Sequence, residues 1–272
     1  MENAVTKVLF YKDGFFGYGE KGDFQYWSLA HFIPLILFGI AIFLIFRFRE
    51  KLKSWKHEEN FRFIFAFVML MVEMSYFWRL LYVGSSEPDK VIDLLDKLPL
   101  QVCEWTCIFA SFMMMKKSQS LYQLCFFISF TLGVFPLLTP SVITMAGPAY
   151  YRYYQYWLEH LLPMVGILYM TFVHGYRPKL KGIISATGFM AVLTTFAMIC
   201  NLNIEGANYL YLAIGTADGG GSVMDIMVKI APNVWGRLAL LSVIVIILFF
   251  IAYFVYIGIT KLYNKAVKKA NL

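Results

Sequence analysis

Seven apolar segments dominate the sequence, and each is about as long as the roughly 20 residues that a helix needs to cross a lipid bilayer. They run at about 28–46, 62–84, 97–115, 120–139, 156–174, 183–201 and 236–259. Hydrophobic residues make up 60% of the chain, and a mean hydropathy of +0.63 is typical of a polytopic membrane protein. The sequence therefore predicts an all-α bundle of seven transmembrane helices, with residues 1–272 forming a single membrane domain.

Lys and Arg residues are unevenly distributed over the connections between these segments. One set of connections and ends carries 15 of them and the opposite set carries 7. Cytoplasmic loops are enriched in Lys and Arg. This bias therefore predicts a protein of the cell membrane with its N-terminus outside and its C-terminus in the cytoplasm. The net charge of +7 is explained by membrane orientation, so we expect no nucleic acid partner.

Two of the predicted outer connections have a distinctive composition. The stretch "YYRYYQYW", 150–157, is typical of an aromatic belt at the outer membrane interface. The stretch "GTADGGGS", 215–222, lacks the strand, the following helix and the Gly-Lys-Ser/Thr signature of a phosphate-binding loop. We interpret it as a flexible loop that covers whatever lies beneath it, and we expect no cofactor.

Polar residues interrupt the outer end of the third segment. Gln101, Cys103 and Glu104 lie near its start, and Cys107 and Ser111 follow at one-turn intervals. All five fall within about half of a helical wheel. Polar side chains in a membrane span normally face the bundle interior or a wet cavity, since facing lipid costs kilocalories. The pattern therefore predicts a polar chamber that opens toward the outer leaflet.

Other ionisable residues are predicted to lie in the same half of the bundle. His160 lies about one turn inside the fifth segment, at nearly the depth expected for Cys103. His31 lies at the outer start of the first segment, and Arg79 lies at the outer end of the second. Glu73 is near the middle of the second segment, and an ionisable residue at that depth is a candidate functional site.

Cys103 and His160 form the sharpest candidate pair in the sequence. A thiol is a strong nucleophile as its thiolate, and a nearby imidazole can take its proton. In this hypothesis Cys103 attacks an ester carbonyl and holds the acyl group as a thioester, while His160 acts as base and then as acid for the leaving alcohol. Glu104, Glu159 and Gln101 are candidates for orienting the imidazole or stabilising an oxyanion, and the sequence does not select among them.

Several alternatives stay open at this point. A membrane Cys is often a small packing residue, and we interpret Cys125 and Cys200 in this way. A lone His often hydrogen-bonds between helices. Cys107 is either packing or a second chamber thiol, and no standard metal-ligand spacing includes it. A transporter or receptor-like bundle would use Glu73 to bind a small solute, and an accessory subunit of a membrane machine would need none of these groups.

Short motifs in the sequence resemble a known family. "HFIPL" (31–35), "LPLQVC" (98–103), "LLTP" (137–140), "YRYYQYWLEH" (151–160), "GYRP" (175–178) and "NYLYL" (208–212) occur in the order found in the YwaF-type family of bacterial integral membrane proteins. That family is similar to transmembrane protein 164, an animal acyltransferase that remodels ether phospholipids through a cysteine and histidine pair. The resemblance covers nearly the whole chain.

The resemblance implies a function and a pair of residues. The nucleophile that it implies is Cys103, and its partner is His160. The implied activity is acyl transfer from a membrane phospholipid to an acceptor such as a lysolipid, a glycolipid or a lipoprotein amine, and with water as acceptor the protein would be a lipase. Many bacterial relatives read "PLHLC" where this chain has Gln101, so the His that precedes their cysteine is absent here.

Overall fold

The computed structural model describes residues 14–16, 24–86, 98–140, 147–204, 207–212 and 229–270. Within these residues the chain is all-helical, without strands. The described residues form eight α-helices: α1 (Leu29–Lys53), α2 (Glu58–Ser86), α3 (Val102–Lys116), α4 (Gln119–Ser129), α5 (Val134–Leu138), α6 (Tyr151–Phe172), α7 (Lys181–Asn203) and α8 (Val234–Ala270). A 3₁₀ turn, Tyr209–Tyr211, precedes α8.

Four helices in the described part of the chain are long and apolar enough to cross a membrane. These candidate spans are Leu29–Lys53, Glu58–Arg79, Lys181–Asn203 and Val234–Lys268. The third predicted segment forms α3, whose 15 residues are about 22 Å long and thus shorter than a 30 Å hydrocarbon layer. The fifth segment forms α6, in which Arg152, Glu159 and His160 interrupt the apolar sequence. The protein is therefore a membrane protein, and the seven-span count and the orientation stay predictions.

The fourth predicted segment, 120–139, is not one continuous helix. It forms α4 and the short α5, which are separated by a turn at 130–133. Pro136 cannot donate a backbone hydrogen bond, and its ring would clash with the carbonyl of Leu132 in a continuous helix. Gly133 lies in this turn, and a Cβ there would come within 2.6 Å of the Ser129 carbonyl oxygen. The break lets the chain pack tightly where α4 meets α6.

The centre of the bundle is formed by α3 and α6. α6 packs against α1, α2, α3 and α4, and α3 packs against α2, α4 and α6. α8 packs at the periphery, against α4 and α7. The main core contains fully buried apolar side chains from α2, α3, α4, α6, α7 and α8. This arrangement leaves the inner faces of α3 and α6 opposite each other, where the predicted polar residues lie.

The outward faces of α1 and α8 are apolar, as expected for helices that contact lipid. On α1 only His31 and Pro34 are buried, while large side chains such as Leu29, Leu37 and Phe43 are more than half exposed. A soluble protein does not present such continuous apolar surfaces to water. The exposed faces agree with the assignment of the chain to a membrane.

The predicted aromatic belt at 150–157 is mostly interior. Tyr150, Tyr153, Tyr156 and Trp157 are each at most 7% exposed, and only Tyr154 presents a large surface at 44%. The Tyr153 hydroxyl donates to the Ala30 carbonyl oxygen at 2.6 Å. The belt prediction was therefore wrong for most of these residues, because α6 runs through the centre of the bundle and its aromatic rings pack against α1 and α5.

A cysteine and a histidine on one cavity

A cavity of about 800 Å³ lies among α2, α3, α4, α5, α6, α7 and α8. The polar residues on its wall include Glu73, Gln101, Cys103, Glu104, Glu159 and His160 from the second, third and fifth predicted segments, and Arg152 from the connection before the fifth. The structure thus brings Cys103 and His160, which are 57 positions apart in the sequence, onto the wall of a single cavity. Glu73, Gln101 and Glu104, which the sequence also singled out, lie on that wall.

Cys103 lies in the first turn of α3. The helix begins at Val102, and the Glu104 carboxylate accepts a hydrogen bond from the Gln101 backbone N–H at 2.8 Å, which caps the start of the helix. The first N–H groups of any helix have no intrahelical acceptor, and the helix dipole makes this end positive. An oxyanion formed beside Cys103 would therefore be stabilised by the start of α3.

His160 is oriented by its own helix. Its Nδ1 lies 2.8 Å from the Tyr156 carbonyl oxygen, and its ring is 4.3 Å from the Tyr156 ring centre. A carbonyl oxygen can only accept, so Nδ1 carries the proton in this contact, and the neutral ring has its lone pair on Nε2. The residue is 8% exposed and lines the cavity. The imidazole is therefore in the tautomer that a base acting through Nε2 requires.

An ordered polar row runs along α6 beside this pair. The Gln155 amide donates to Glu159 Oε2 at 2.8 Å, and Arg152 Nη1 lies 3.4 Å from the same oxygen. The Arg152 guanidinium also stacks 4.6 Å above the Tyr76 ring centre. Cys103 and Glu159 line the same cavity. Glu159 therefore presents an ion-paired carboxylate to the cavity that the thiol of α3 also lines.

Carboxylates outnumber cations on the cavity wall. Glu73, Glu104 and Glu159 all line it, and Arg152 is the one Lys or Arg among its described lining residues. Glu73 is 3% exposed, and its Oε2 has no hydrogen-bond partner among the described residues. A buried carboxylate oxygen normally has a partner. The polar wall therefore has acceptor capacity that the described residues do not fill.

The opposite wall of the cavity is mainly apolar. It is lined from α7 and α8 by Met190, Ala191, Leu238, Leu241, Val245 and Leu248, with a few Thr and Ser side chains between them. The lining positions on α8 extend from Leu238 to Leu248, which corresponds to about 15 Å along the helix. A long apolar surface facing a row of polar groups is suited to an amphipathic ligand.

Two of the predicted supporting residues lie outside this cavity. His31 is fully buried, and its Nε2 donates to the Leu137 carbonyl oxygen at 2.8 Å while Nδ1 accepts from the Trp27 N–H at 3.1 Å. Arg79 Nε donates to the Phe16 carbonyl oxygen at 2.9 Å. His31 joins α1 to α5, and Arg79 joins α2 to an N-terminal segment. Neither residue is among the cavity-lining residues.

Cys107 and Ser111 also turn away from the chamber in which the sequence placed them. The Cys107 thiol is completely buried and contacts the Met69 carbonyl oxygen of α2 at 3.3 Å. The Ser111 hydroxyl donates to the Cys107 carbonyl oxygen at 2.9 Å. The half-wheel argument was wrong for Ser111, and Cys107, which the sequence left open between packing and the chamber, is a packing residue. Four residues are slightly more than one helical turn, and α2 packs against the face that these two residues occupy.

Sequence reasoning treated Arg152 only as a loop charge. The structure places it in the first turn of α6 and on the cavity wall. Arg152, Gln155 and Glu159 follow each other at spacings of three and four residues, which puts them on one helical face. That spacing was the signal that could have found the row. The Gly-rich stretch 215–222 lies outside the described residues, but Leu210 and Leu212 line the cavity just before it.

The fold and the cavity define an integral membrane protein with an internal amphipathic chamber. The described residues contain no group of three or more His, Cys, Asp or Glu side chains placed to hold a metal ion. The family model described as the TMEM164 family matches residues 26–264, so the chain belongs to the TMEM164 family. No curated protein and no solved structure matches the chain in the corresponding searches.

Proposed function

We propose that this protein is an acyltransferase of the cell membrane that takes a fatty acyl chain from a phospholipid and holds it as a thioester on Cys103. The observation that carries the proposal is the shared cavity, because it brings a thiol and an oriented imidazole from different helices beside an apolar wall. Membership of the TMEM164 family adds to it, since the sequence resemblance implies the same two residues.

The first half of the proposed reaction forms the acyl-enzyme. Cys103 Sγ attacks the ester carbonyl carbon as His160 Nε2 takes the thiol proton, because a free thiolate beside Glu159 would place two negative charges together. The start of α3 stabilises the oxyanion. The carbon–oxygen bond of the ester then breaks, the leaving alcohol takes the proton from His160, and the products are a thioester and a lysolipid.

The second half returns the enzyme to its starting state. A hydroxyl or amine of an acceptor attacks the thioester carbonyl while His160 Nε2 takes its proton. The carbon–sulfur bond breaks, and Cys103 recovers a proton from His160. With water as acceptor the same steps would make the protein a lipase. The acyl chain would lie along α7 and α8 during both halves.

The proposal includes the membrane arrangement expected from the sequence. Seven segments cross the membrane, the C-terminus is cytoplasmic, and the cavity opens toward the outer leaflet. This arrangement is supported by the excess of Lys and Arg at the α1–α2 connection, the end of α3 and the end of α8. It also separates the site from cytoplasmic acyl-CoA, so a phospholipid is the expected donor.

The test is to trap the acyl-enzyme. The full-length protein is incubated in mixed-phospholipid vesicles and its intact mass is measured before and after hydroxylamine treatment. We expect a hydroxylamine-labile acyl adduct in the wild type, and His160→Ala, which slows acylation as well as deacylation, should form and lose it more slowly. Cys103→Ala should carry none, while Cys107→Ala, one helical turn away and facing α2, should keep it. Absence of any adduct across a broad lipid panel would overturn the proposal.

A small-solute transporter or receptor-like bundle is the second candidate function. The observation that favours it is the unpartnered Glu73 Oε2 on the cavity wall, which is available to a cationic or hydrogen-bond-donating solute. In that case Glu73→Gln would abolish solute binding and Cys103→Ala would have almost no effect. The acyltransferase proposal expects that Cys103→Ala has the larger effect and Glu73→Gln the smaller one.

A further inference from the structure

A second cavity, about 440 Å³, lies at the other end of α3. It is lined by the end of α1, the α1–α2 connection, the first turns of α2 and the end of α3: Lys53, Trp55, Lys56, Glu58, Glu59, Arg62, Met115, Lys116 and Lys117. Lys116 is 13 residues from Cys103, which corresponds to about 20 Å along the helix. The proposed acyl-transfer chemistry does not use this basic pocket.

The buried charges beneath the basic pocket are already paired. The Glu58 carboxylate accepts from Arg62 Nε at 2.8 Å and from the Tyr169 hydroxyl at 3.0 Å, and it contacts His174 Nε2 at 2.8 Å. Lys117 Nζ lies 3.6 Å from its other oxygen. These contacts neutralise Glu58 from within the bundle, so its charge offers little to an incoming cation.

Three lysines at the mouth of the basic pocket have no such partner. Lys53, Lys56 and Lys116 are exposed, and none makes an ion pair within the described part of the chain. The whole lining has five cationic side chains and two carboxylates, which leaves an excess of three positive charges. α2 also starts here, at Glu58, and directs the positive end of its dipole toward the pocket. The pocket is therefore suited to a compact anion with several acceptor oxygens.

Apolar surface directly beside the basic pocket indicates that such an anion would belong to a membrane lipid. Trp55 lines the pocket and is 46% exposed, and one turn into α2 Phe63 and Ile64 are 43% and 64% exposed. Tryptophan is enriched where a membrane meets water, and basic pockets at such a level bind lipid head groups. A lipid could place its phosphate among the lysines and its acyl chains along the exposed faces of α1 and α2.

We propose that the basic pocket binds a phosphate-bearing anion, and that this anion is the head group of an anionic phospholipid. The bound lipid would join the α1–α2 connection to the end of α3 and stabilise the fold by mass action. The proposal is independent of the acyl-transfer proposal, because the two cavities share no lining residue.

The test measures the thermal stability of the full-length protein in neutral detergent. Dioleoylphosphatidylglycerol is added to one sample, dioleoylphosphatidylcholine to a second and inorganic phosphate to a third. We expect phosphatidylglycerol to raise Tm by about 3 °C or more over phosphatidylcholine. The Lys53→Gln/Lys56→Gln/Lys116→Gln protein should lose at least half of that shift.

The matched control is a triple Lys→Gln variant that removes three positive charges outside the basic pocket. Lys261, Lys265 and Lys268 are exposed on the last turns of α8, and their replacement by Gln should leave the shift unchanged. An equal loss in both triple variants, or no shift in the wild type, would overturn the proposal. A shift produced equally by inorganic phosphate would keep the anion site and overturn the lipid as its source.

Native mass spectrometry supplies a readout that does not depend on the stability of the variant. The wild type should retain one more phosphatidylglycerol molecule than Lys116→Gln after the same delipidation. Equal retention would contradict the proposal even if the triple variant failed to fold.

Discussion

The two ends of α3 both lie beside buried charges, but these charges differ in their partners. At the C-terminal end of α3, Glu58 and Arg62 of α2 pair with each other, Tyr169 and His174 contact Glu58, and a backbone carbonyl oxygen of α3 accepts from Arg62. At its start, three carboxylates share the cavity wall with Arg152.

The difference shows how to separate structural charges from functional ones. A buried ion pair with every hydrogen bond made holds helices together, and breaking it leaves an uncompensated charge. A buried carboxyl oxygen without a partner, as Glu73 Oε2 is among the described residues, can be tolerated when a ligand supplies the missing contact. We therefore expect substitutions in the Glu58/Arg62 cluster at the C-terminal end of α3 to affect stability, and substitutions in the cavity at its N-terminal end to affect activity.

The largest expected effect is on chemistry at the start of α3. Cys103→Ala should lower the acylation rate by about 10³-fold or more, because no other group on the wall can form the thioester. Its stability should stay within about 1 kcal/mol of the wild type, since Cys103 is only half-buried. Acyl-adduct kinetics and thermal unfolding measure the two effects, and a fall in stability with unchanged acylation would reverse the roles of the two ends.

The next largest effect is on stability at the end of α3. Arg62→Met should cost about 3–5 kcal/mol of unfolding free energy, because Glu58 would stay buried without its main cation. Arg49→Met is the matched control: Arg49 pairs with Glu50 at 3.5 Å on the surface and should cost at most about 1 kcal/mol. Equal costs in a denaturant titration of the two variants would show that the buried cluster is not structural.

A smaller effect on the acylation rate is expected when the proposed base, His160, is replaced. His160→Gln should slow acylation by about 10²-fold, which is the usual contribution of a positioned general base. The Gln variant should also lose the acidic limb of the wild-type pH profile, which loss of packing alone would not remove. A variant that retains this limb would assign the proton transfer to another group.

The smallest expected effect is the stability change on replacing Glu73, which can be compared directly with the replacement of Glu58. Glu73→Gln should change the unfolding free energy by no more than about 1 kcal/mol, because one of the two Glu73 oxygens has no partner among the described residues to lose. Glu58→Gln should cost about 3 kcal/mol, since it leaves Arg62 buried with its charge unpaired. Similar values for both substitutions would remove the distinction between the two clusters.

Sequence patterns predicted the membrane class and several cavity residues. The length and polarity of the third segment placed Gln101, Cys103 and Glu104 on an inner face, and helical rise placed His160 at the same depth. The structure places these residues on one cavity, while their common depth in the membrane stays a prediction, since α3 begins at Val102 rather than near Lys97 and α6 begins at Tyr151 rather than near Tyr156. The catalytic roles of Cys103 and His160 stay predictions.

Predictions that depended on which helix packs beside a residue did not succeed. Cys107 was left open between packing and chemistry until the proximity of α2 decided for packing. His31 and Arg79 were predicted to support the site, but each bonds to a backbone carbonyl oxygen away from the cavity. A helical wheel gives an angle, but it does not say which element occupies that direction.

The sequence by itself determined that this chain is a helical membrane protein, because apolar segments of bilayer length can satisfy their backbone hydrogen bonds in lipid only as helices or closed barrels, and these segments have helical length. Only the tertiary structure decided which polar groups meet. Pairing of α3 with α6 depends on side-chain fit between distant segments, and it is this packing that brings Cys103 and His160 to one cavity and isolates Glu58 and Arg62 from it.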